Sequence, residues 1–425
     1  MPDKSIDQLA LTSQIIRQKL DRQDLIYSIL SFLLLFIPLF AFFQWQGIKI
    51  VGDAISYIAE ANQVIKKLSA GKSLYDIAQD LNPFYLVCIY FLALIKYLGG
   101  DNWPTAILIA NAFFYSLCAP CVYLIYRLCG GYRGPVGYVG AALLPLAYPE
   151  ALFLGNIPLR DIPFTGGAAA AWLIIIWLAQ KHPRIVYFLF ALFICLLLAL
   201  YRPNSIIFTC ATIFLFIFIW WSHSRPWTQK ARVLLATHLF LGVSLMAMAA
   251  YWFSEPFKLP TPLIQNLFNS IKALNNSGMI IIDHADLVVA TPEKFWDYLH
   301  LLFLKSIYYF RYWNPMQSST HIIYRHIYFG LLFANTIYFA WQFLRGRQLN
   351  DNQTTRNLIF FTLNLALAGA LLHSILVLAF EFRYQMIIFP GIWALFLING
   401  SKLIIWLGQF RRQTKNSKHV FTNTS

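Results

Sequence analysis

Charged side chains are scarce in this chain of 425 residues. They make up 12% of it, against about 25% in a typical soluble domain. Hydrophobic residues make up 59% and aromatic residues 17%. So few charges could not cover the water-exposed surface of a soluble protein of this length. We therefore expect a protein that lies in a lipid bilayer.

Short catalytic signatures are also missing. The sequence has no P-loop, dinucleotide-binding glycine pattern, nucleophile elbow or HExxH, and it shows neither an internal repeat nor a low-complexity tract. Its six cysteines fall in or beside apolar segments. Cys118 and Cys121 form a CxxC without a second pair, which favours small buried side chains over zinc or redox chemistry. The sequence thus predicts neither a metal site nor a cofactor.

What the chain does have is long apolar runs, and a membrane-spanning helix needs about 20 such residues. The first run is too long for a signal peptide and is read as a retained anchor. We expect an all-α integral membrane protein with about ten transmembrane helices. They lie near residues 25–43, 105–126, 136–153, 163–179, 185–200, 204–221, 233–252, 322–344, 357–380 and 386–407.

The net charge of +15 indicates topology rather than a nucleic-acid partner. Basic residues cluster in short loops that alternate along the chain, as the positive-inside rule predicts for cytoplasmic loops. This pattern places both termini in the cytoplasm and adds some attraction to anionic membrane lipid. The clusters are Arg127 and Arg133; Lys181 and Arg184; Arg225, Lys230 and Arg232; Arg345, Arg347 and Arg356; Arg411, Arg412, Lys415 and Lys418.

Two shorter apolar stretches, 84–98 and 298–310, would put every later basic loop on the wrong side if either one crossed alone. They are therefore predicted to be juxtamembrane or re-entrant helices on the outer face, and an amphipathic helix is expected at 54–68. The resulting segments are a cytoplasmic tail (1–24), a transmembrane module (25–252) with a first outer loop (44–104), a second outer loop (253–321), C-terminal transmembrane helices (322–407) and a cytoplasmic tail (408–425).

Two outward-facing acids are the first candidates for catalytic residues, because ionisable side chains are rare in this chain and such groups in membrane proteins are often functional. Asp53 lies in the run GDAISY just after the first span, and Asp161 lies in the short loop LRDIP. Either carboxylate could simply cap the helix that follows it. Asp161 could also form an ordinary ion pair with Arg160.

Three arginines lie alone in outer loops: Arg160, Arg202 and Arg383. Helix-end arginines often extend to the membrane interface, but the guanidinium fork also matches phosphate oxygens. His238 and His373 lie in apolar runs without acidic neighbours and are read as core residues. The group Asp283, His284 and Asp286 is read as a solvated loop rather than half of a metal site.

The order of several short motifs along the chain, and the side of the membrane expected for each, resemble the GT-C superfamily of polytopic glycosyltransferases. The resemblance is in particular to bacterial members related to protein O-mannosyltransferases and aminoarabinose transferases. The resemblance covers nearly the full chain, although each motif is short. Members often show His-Pro-Pro or Asn-Pro-Pro where this chain has Asn82-Pro83-Phe84. The matching pieces are the acid in GDAISY, Asn82-Pro83-Phe84-Tyr85, Arg160-Asp161, Arg202-Pro203-Asn204, and Arg383-Tyr384 with Pro390.

The resemblance implies transfer of a sugar from a polyprenyl-phosphate donor to a hydroxyl on a lipid, glycan or protein, at the outer face and with inversion. It also implies the inner membrane of a bacterium. Asp53 would be the general base and Asp161 its partner in orienting the acceptor or sharing the proton. Arg202, Arg383 and Arg160 are expected at the donor phosphate, and Glu60, Tyr57 and Tyr384 are possible donor or acceptor contacts.

Two other classes stay open. A flippase or transporter would share the span count, but ion-coupled carriers usually hold ionisable groups near the midplane, where these spans have few. A membrane polysaccharide polymerase or ligase would use the same outer groups but move whole glycans. Substrate movement without bond formation marks the first rival, and product size marks the second.

Overall fold

The structure is a computed structural model. It describes residues 20–81, 85–180, 184–202, 205–222, 227–254, 269, 271–273, 275–282, 285–312, 317–344, 353–376 and 382–402.

The described chain is mainly helical. Two 3-10 segments, Gly100–Asn102 and Phe382–Ile388, interrupt it. In chain order the elements are α1 (Arg22–Gln46), α2 (Asp53–Ser69), α3 (Leu74–Gln79), α4 (Leu86–Gly99), α5 (Trp103–Ser116), α6 (Cys118–Leu128), α7 (Pro135–Leu146), α8 (Pro149–Leu154), α9 (Asp161–Gln180), α10 (Ile185–Tyr201), α11 (Ile206–Ser222), α12 (Trp227–Ser254), β1 (Met279–Ile282), β2 (Ala285–Val288), α13 (Phe295–Tyr308), α14 (Ser319–Leu344), α15 (Gln353–Leu376) and α16 (389–402).

Length and composition suit a protein that crosses a membrane several times. Among the described residues, four helical stretches are long and apolar enough to span: Arg22–Gln46, Leu86–Leu128, Asp161–Gln180 and Gln353–Ile375. The second of these is not one straight helix, because it contains the turn at Gly100 between α4 and α5. Shorter apolar helices accompany them, among them α10 and α11. The architecture is therefore consistent with an all-α, multi-pass membrane protein.

The expected span at 136–153 is not one continuous helix. It is divided into α7 and α8, which end and begin on either side of Tyr148. Pro149 is the first residue of α8, and a proline favours extended backbone in the residue before it. Tyr148 accordingly has φ −70° and ψ 118°, so the helix breaks there.

A polar network fixes one end of the bundle. Asp24, in the first turn of α1, accepts a 2.7 Å bond from Nε of Arg127 at the end of α6, and Nη2 of Arg133 lies 3.2 Å from its other carboxylate oxygen. At the same end, Gln180 of α9 donates to Leu128 O and to Thr354 Oγ1. These contacts hold α1, α6, α9 and α15 in register there.

The segment after α1 forms a separate helical layer at the opposite end. The amphipathic helix expected at 54–68 is present as α2, and it packs on α4. Helix α4 then folds back along α5: the Phe91 and Phe114 ring centroids lie 5.4 Å apart, and the turn passes through Gly100 at φ +51°. A small apolar core of its own, including Ala61, joins α2, α4 and α5.

The second long loop contains strands, which the all-α expectation did not include. β1 and β2 form an antiparallel pair in which Ile280 stands opposite Leu287. Ile280 is fully buried and packs with Leu301 of α13 and Ala370 of α15. An apolar strand with one buried face is stable here because α13 and α15 cover that face.

Candidate functional site

A buried ion pair joins Asp161, the first residue of α9, to Arg202, which follows α10. Nη1 of Arg202 contacts Oδ1 of Asp161. Asp161 is 0% and Arg202 3% exposed. The sequence allowed an ion pair of Asp161 with Arg160, but the salt-bridge partner is Arg202, whose guanidinium also lies over the Phe164 ring at 5.3 Å.

Arg160, directly before this acid, points to a different set of side chains. Its guanidinium carbon lies 4.5 Å from the centroid of the Tyr85 ring. Tyr85 in turn packs on Tyr57 of α2, with the ring centroids 5.3 Å apart. Stacking on an aromatic face fixes the plane of the guanidinium group.

Tyr57 connects this stack to both candidate acids. Burial raises the pKa of its hydroxyl well above the ordinary value. Arg160 acts in the opposite direction, and the negative charges of Asp53 and Asp161 add to the rise. Asp53, Tyr57, Arg160 and Asp161 therefore share one electrostatic environment, although 108 positions of sequence separate the two acids.

Asp53 lies at the solvent side of the cluster. It is exposed and is the first residue of α2, while Gly52, at φ +55°, occupies the N-cap position. Its carboxylate therefore stands where the partial positive charge of the helix N-terminus favours an anion. Asp53 is therefore not the N-cap residue considered from the sequence, and no side chain caps α2 at Gly52.

Glu60 lies two turns further along the same helix. One of its carboxylate oxygens, Oε2, is buried and has no hydrogen-bond partner among the described residues. Buried polar atoms are normally satisfied, so an orphaned carboxylate oxygen marks a place where a ligand or water donates.

Two asparagines hold the loops that carry the acids. Asn156 Nδ2 donates to Gln46 Oε1 at 2.9 Å and to Gly47 O at 3.0 Å. The Asn156 carbonyl accepts from the backbone N–H of Lys49 at 2.9 Å. Asn111 of α5 donates to the carbonyls of Gly155 and Ile157. The Asp53 loop and the Asp161 loop are thereby tied to each other and to the end of α1.

Tyr309, after α13, also lies near the ion pair. It lies within electrostatic range of Arg202, and its ring centroid is 5.1 Å from that of His373. Gln385 Nε2 donates to the carbonyls of Tyr309 and, at 3.1 Å, Arg311. The 3-10 segment Phe382–Ile388 thus holds the turn that presents Tyr309.

A second buried ion pair was missed by the sequence reasoning. Nη2 of Arg325, in α14, contacts Oε1 of Glu150, in α8, and both side chains are at most 7% exposed. Arg325 Nη1 also donates to Tyr312 O at 3.1 Å. The sequence did contain an indication of this pair. Arg325 lies inside the span expected at 322–344, and a charged side chain within a span needs a partner of opposite charge.

Lys305 is also fully buried. It lies near the centre of 298–310, the stretch predicted to be a juxtamembrane or re-entrant helix on the outer face. Its Nζ donates to Asn275 Oδ1, just before the hairpin. Burial lowers the pKa of this amine to about 7. It lies one helical turn before Tyr309.

Some predicted residues lie outside the described part of the chain. Among them are Asn82, Pro83 and Phe84, Pro203 and Asn204, Asp283 and His284, and the side chains of His238, Arg383 and Tyr384. Within the described residues, no group of three or more His, Cys, Asp or Glu side chains is placed to hold a metal ion.

The arrangement offers an exposed carboxylate, a stacked arginine and a buried acid–arginine pair at one end of an apolar bundle. Such a set can accept a proton from a hydroxyl and stabilise an anion within the same volume.

No family model, curated protein or solved structure matches this chain.

Proposed function

We propose that the chain is a membrane glycosyltransferase of the GT-C type, which moves a sugar from a polyprenyl-phosphate donor to a hydroxyl acceptor. One observation carries the proposal: six side chains come together at one end of a helical bundle from four separate stretches of the chain. They are Asp53, Tyr57, Tyr85, Arg160, Asp161 and Arg202.

In the proposed reaction Asp53 is the general base. Its carboxylate accepts the proton of the acceptor hydroxyl while that oxygen attacks the anomeric carbon of the sugar. The bond between the anomeric carbon and the phosphate oxygen breaks, and its electron pair leaves with the polyprenyl phosphate. The geometry is a single displacement with inversion. A positioned base contributes typically about 10²–10⁴-fold to such a step.

The leaving phosphate gains negative charge in the transition state, and arginine is suited to bind it. Arg160 is the candidate for direct contact, because Tyr85 holds its guanidinium and it is only half-buried. Arg202 is held by its ion pair with Asp161, which fixes the position of its guanidinium group. We assign Asp161 the role of positioning Arg202, since its own carboxylate is buried and ion-paired and so is closed to the acceptor. Arg383 remains a predicted contact of the donor phosphate, and Tyr384 a predicted contact of the donor or the acceptor.

The acceptor is assigned to the side of α2 that carries Glu60 and Tyr57. The orphaned Glu60 oxygen would accept a hydrogen bond from a sugar or lipid hydroxyl. About ten transmembrane helices, cytoplasmic termini, an outer-face site and the bacterial inner membrane belong to the same proposal. A flippase is the alternative, because a polar cluster at a bundle end would also serve a lipid-linked substrate that is moved and not cut.

The test is transfer of radiolabelled sugar from a panel of polyprenyl-phosphate donors to a membrane-lipid extract, using purified protein in nanodiscs. Asp53→Asn keeps the size and position of the side chain but removes the base. Asp101→Asn is the matched control, because Asp101 is an exposed acid in the turn after α4, away from the cluster.

We expect Asp53→Asn to lose at least about 10²-fold in transfer, while Asp101→Asn stays at the wild-type rate. Full activity of Asp53→Asn would disprove the mechanism. If no donor is consumed while lipid-linked substrate crosses proteoliposomes, the flippase alternative replaces the proposal.

A further inference from the structure

An apolar groove lies between α2, α3 and α4, at a distance from the acid–arginine cluster. Its volume is about 490 Å³, and its lining is apolar except for one serine and the hydroxyls of two tyrosines. Leu68, Leu74, Leu94 and Tyr97 form its open side and are 42%, 57%, 55% and 72% exposed. Outside the hydrocarbon layer, an exposed apolar surface of this kind is normally covered by a partner or a ligand.

The height of the groove follows from helix register. Asp24 of α1 lies opposite Arg127 of α6. At the other end of α1, Gln46 accepts a hydrogen bond from Asn156, and the backbone on either side of Asn156 accepts from Asn111 of α5. The turn between α4 and α5, which precedes α5, therefore lies just beyond the end of the candidate span α1.

Aromatic and basic side chains mark the same level. Trp45, at the end of α1, is 80% exposed, and Nζ of Lys96 lies 3.7 Å from the centroid of the Trp103 ring. Tryptophan and lysine concentrate where a bilayer meets water. The groove thus opens at the height where lipid headgroups and the first carbons of their chains would lie.

The polar rim of the groove matches a phosphate. Lys67, beside Leu68, forms a 2.9 Å ion pair with Asp80. Lys66, in the last turn of α2, and Lys72, just after it, are also exposed and adjoin in sequence the α2 and α3 residues that line the groove. An apolar cleft with ammonium groups at its mouth has the chemistry that a phospholipid presents, a hydrocarbon chain below a phosphate.

We propose that this groove binds a phospholipid of the surrounding bilayer, with one acyl chain between α2 and α4 and the headgroup phosphate at Lys66 and Lys72. Bound lipid would cover the open side of the small core that joins α2, α4 and α5. This inference does not depend on the proposed transfer reaction.

The test uses full-length protein in nanodiscs that contain phosphatidylglycerol with a photoreactive diazirine in its acyl chain. Adducts are mapped by mass spectrometry, and adducts on the exposed leucines of α1 serve as an internal standard. Leu68→Glu places a carboxylate in the groove. Ile55→Glu is the matched control, because Ile55 is an exposed residue of the same helix outside the groove.

We expect groove adducts in the wild type, a loss of about tenfold or more in Leu68→Glu, and little change in Ile55→Glu, since a carboxylate is costly beside an acyl chain. A double change Lys66→Glu with Lys72→Glu should also lower the yield of groove adducts. Unchanged labelling in that variant would overturn the phosphate assignment.

An unlabelled groove in wild-type protein whose α1 is labelled would overturn the proposal. So would equal labelling of Leu68→Glu and Ile55→Glu. If the groove is unlabelled and the protein elutes as a dimer, the groove is a contact between two copies.

Discussion

Arg202 contacts the carboxylate of Asp161 in a site where neither side chain is more than 3% exposed. The two residues lie at the ends of different helices, so the pair joins α9 to α10. Removing one partner of a buried ion pair leaves an uncompensated charge, which is far more costly than losing both partners.

The first prediction concerns this pair. Asp161→Leu alone should lower the free energy of unfolding by about 3–5 kcal/mol, and Asp161→Leu with Arg202→Met should recover most of that loss. The measurement is thermal or denaturant unfolding in detergent. Asp80→Asn, which breaks the exposed pair with Lys67, is the control and should cost no more than about 1 kcal/mol. If the double variant is as unstable as Asp161→Leu, the loss does not come from the unpaired charge of Arg202, and the prediction is wrong.

The second prediction concerns the stack of Arg160 on Tyr85. Arg160→Lys keeps the positive charge but loses the flat guanidinium, so it should raise the KM for the donor about tenfold with a smaller effect on kcat. Steady-state kinetics of sugar transfer would measure it. Arg184→Lys changes an exposed arginine at the start of α10 and should leave both constants unchanged. Equal effects of the two changes would remove Arg160 from the donor site.

The third prediction is a pH dependence from Lys305. Its pKa in the folded protein is about 7, below the ordinary value of 10.5, because burial disfavours the ammonium form. Between pH 7 and 10.5 the unfolded chain therefore binds more protons, and stability rises with pH across that window. Below pH 7 both states are protonated, so the contribution becomes constant.

Lys305→Met should remove this rise and should stabilise the protein near neutral pH, because an ammonium no longer has to be buried. The measurement is the unfolding temperature at pH 6 to 9, compared with Lys294→Met. Lys294 lies at the exposed start of the same helix. If Lys305→Met and the wild type show parallel pH profiles, the amine is not buried in the folded protein.

The fourth prediction uses two adjacent glycines of α9. A Cβ on Gly166 would lie 1.7 Å from the carbonyl oxygen of Phe114, which is backbone and cannot move aside. A Cβ on Gly167 would meet Leu198 at an ordinary 3.6 Å. Gly166→Ala should therefore cost about 2 kcal/mol through overpacking. Gly167→Ala should be neutral or stabilising, as alanine is the better helix former. The measurement is the free energy of unfolding of both variants under identical conditions.

The sequence by itself determined which class of protein to expect. A scarcity of charge and long apolar runs indicate a membrane protein, with which the apolar helices are compatible, and periodic apolar positions placed α2 within one residue at each end. These features are local, because hydropathy and helical periodicity act over one or two turns. The acids and arginines that carry the proposed chemistry could be named for the same reason, since a charge beside a span is visible in the sequence.

Only the tertiary structure decided which of those charges meet. Arg202 pairs with Asp161, although Arg160 is adjacent in sequence, because the start of α9 and the end of α10 pack at the same end of the bundle. Arg325 reaches Glu150 across 175 positions, and the groove between α2 and α4 exists because α4 folds back along α5. Pairings of this kind depend on long-range packing, which no local pattern of residues encodes.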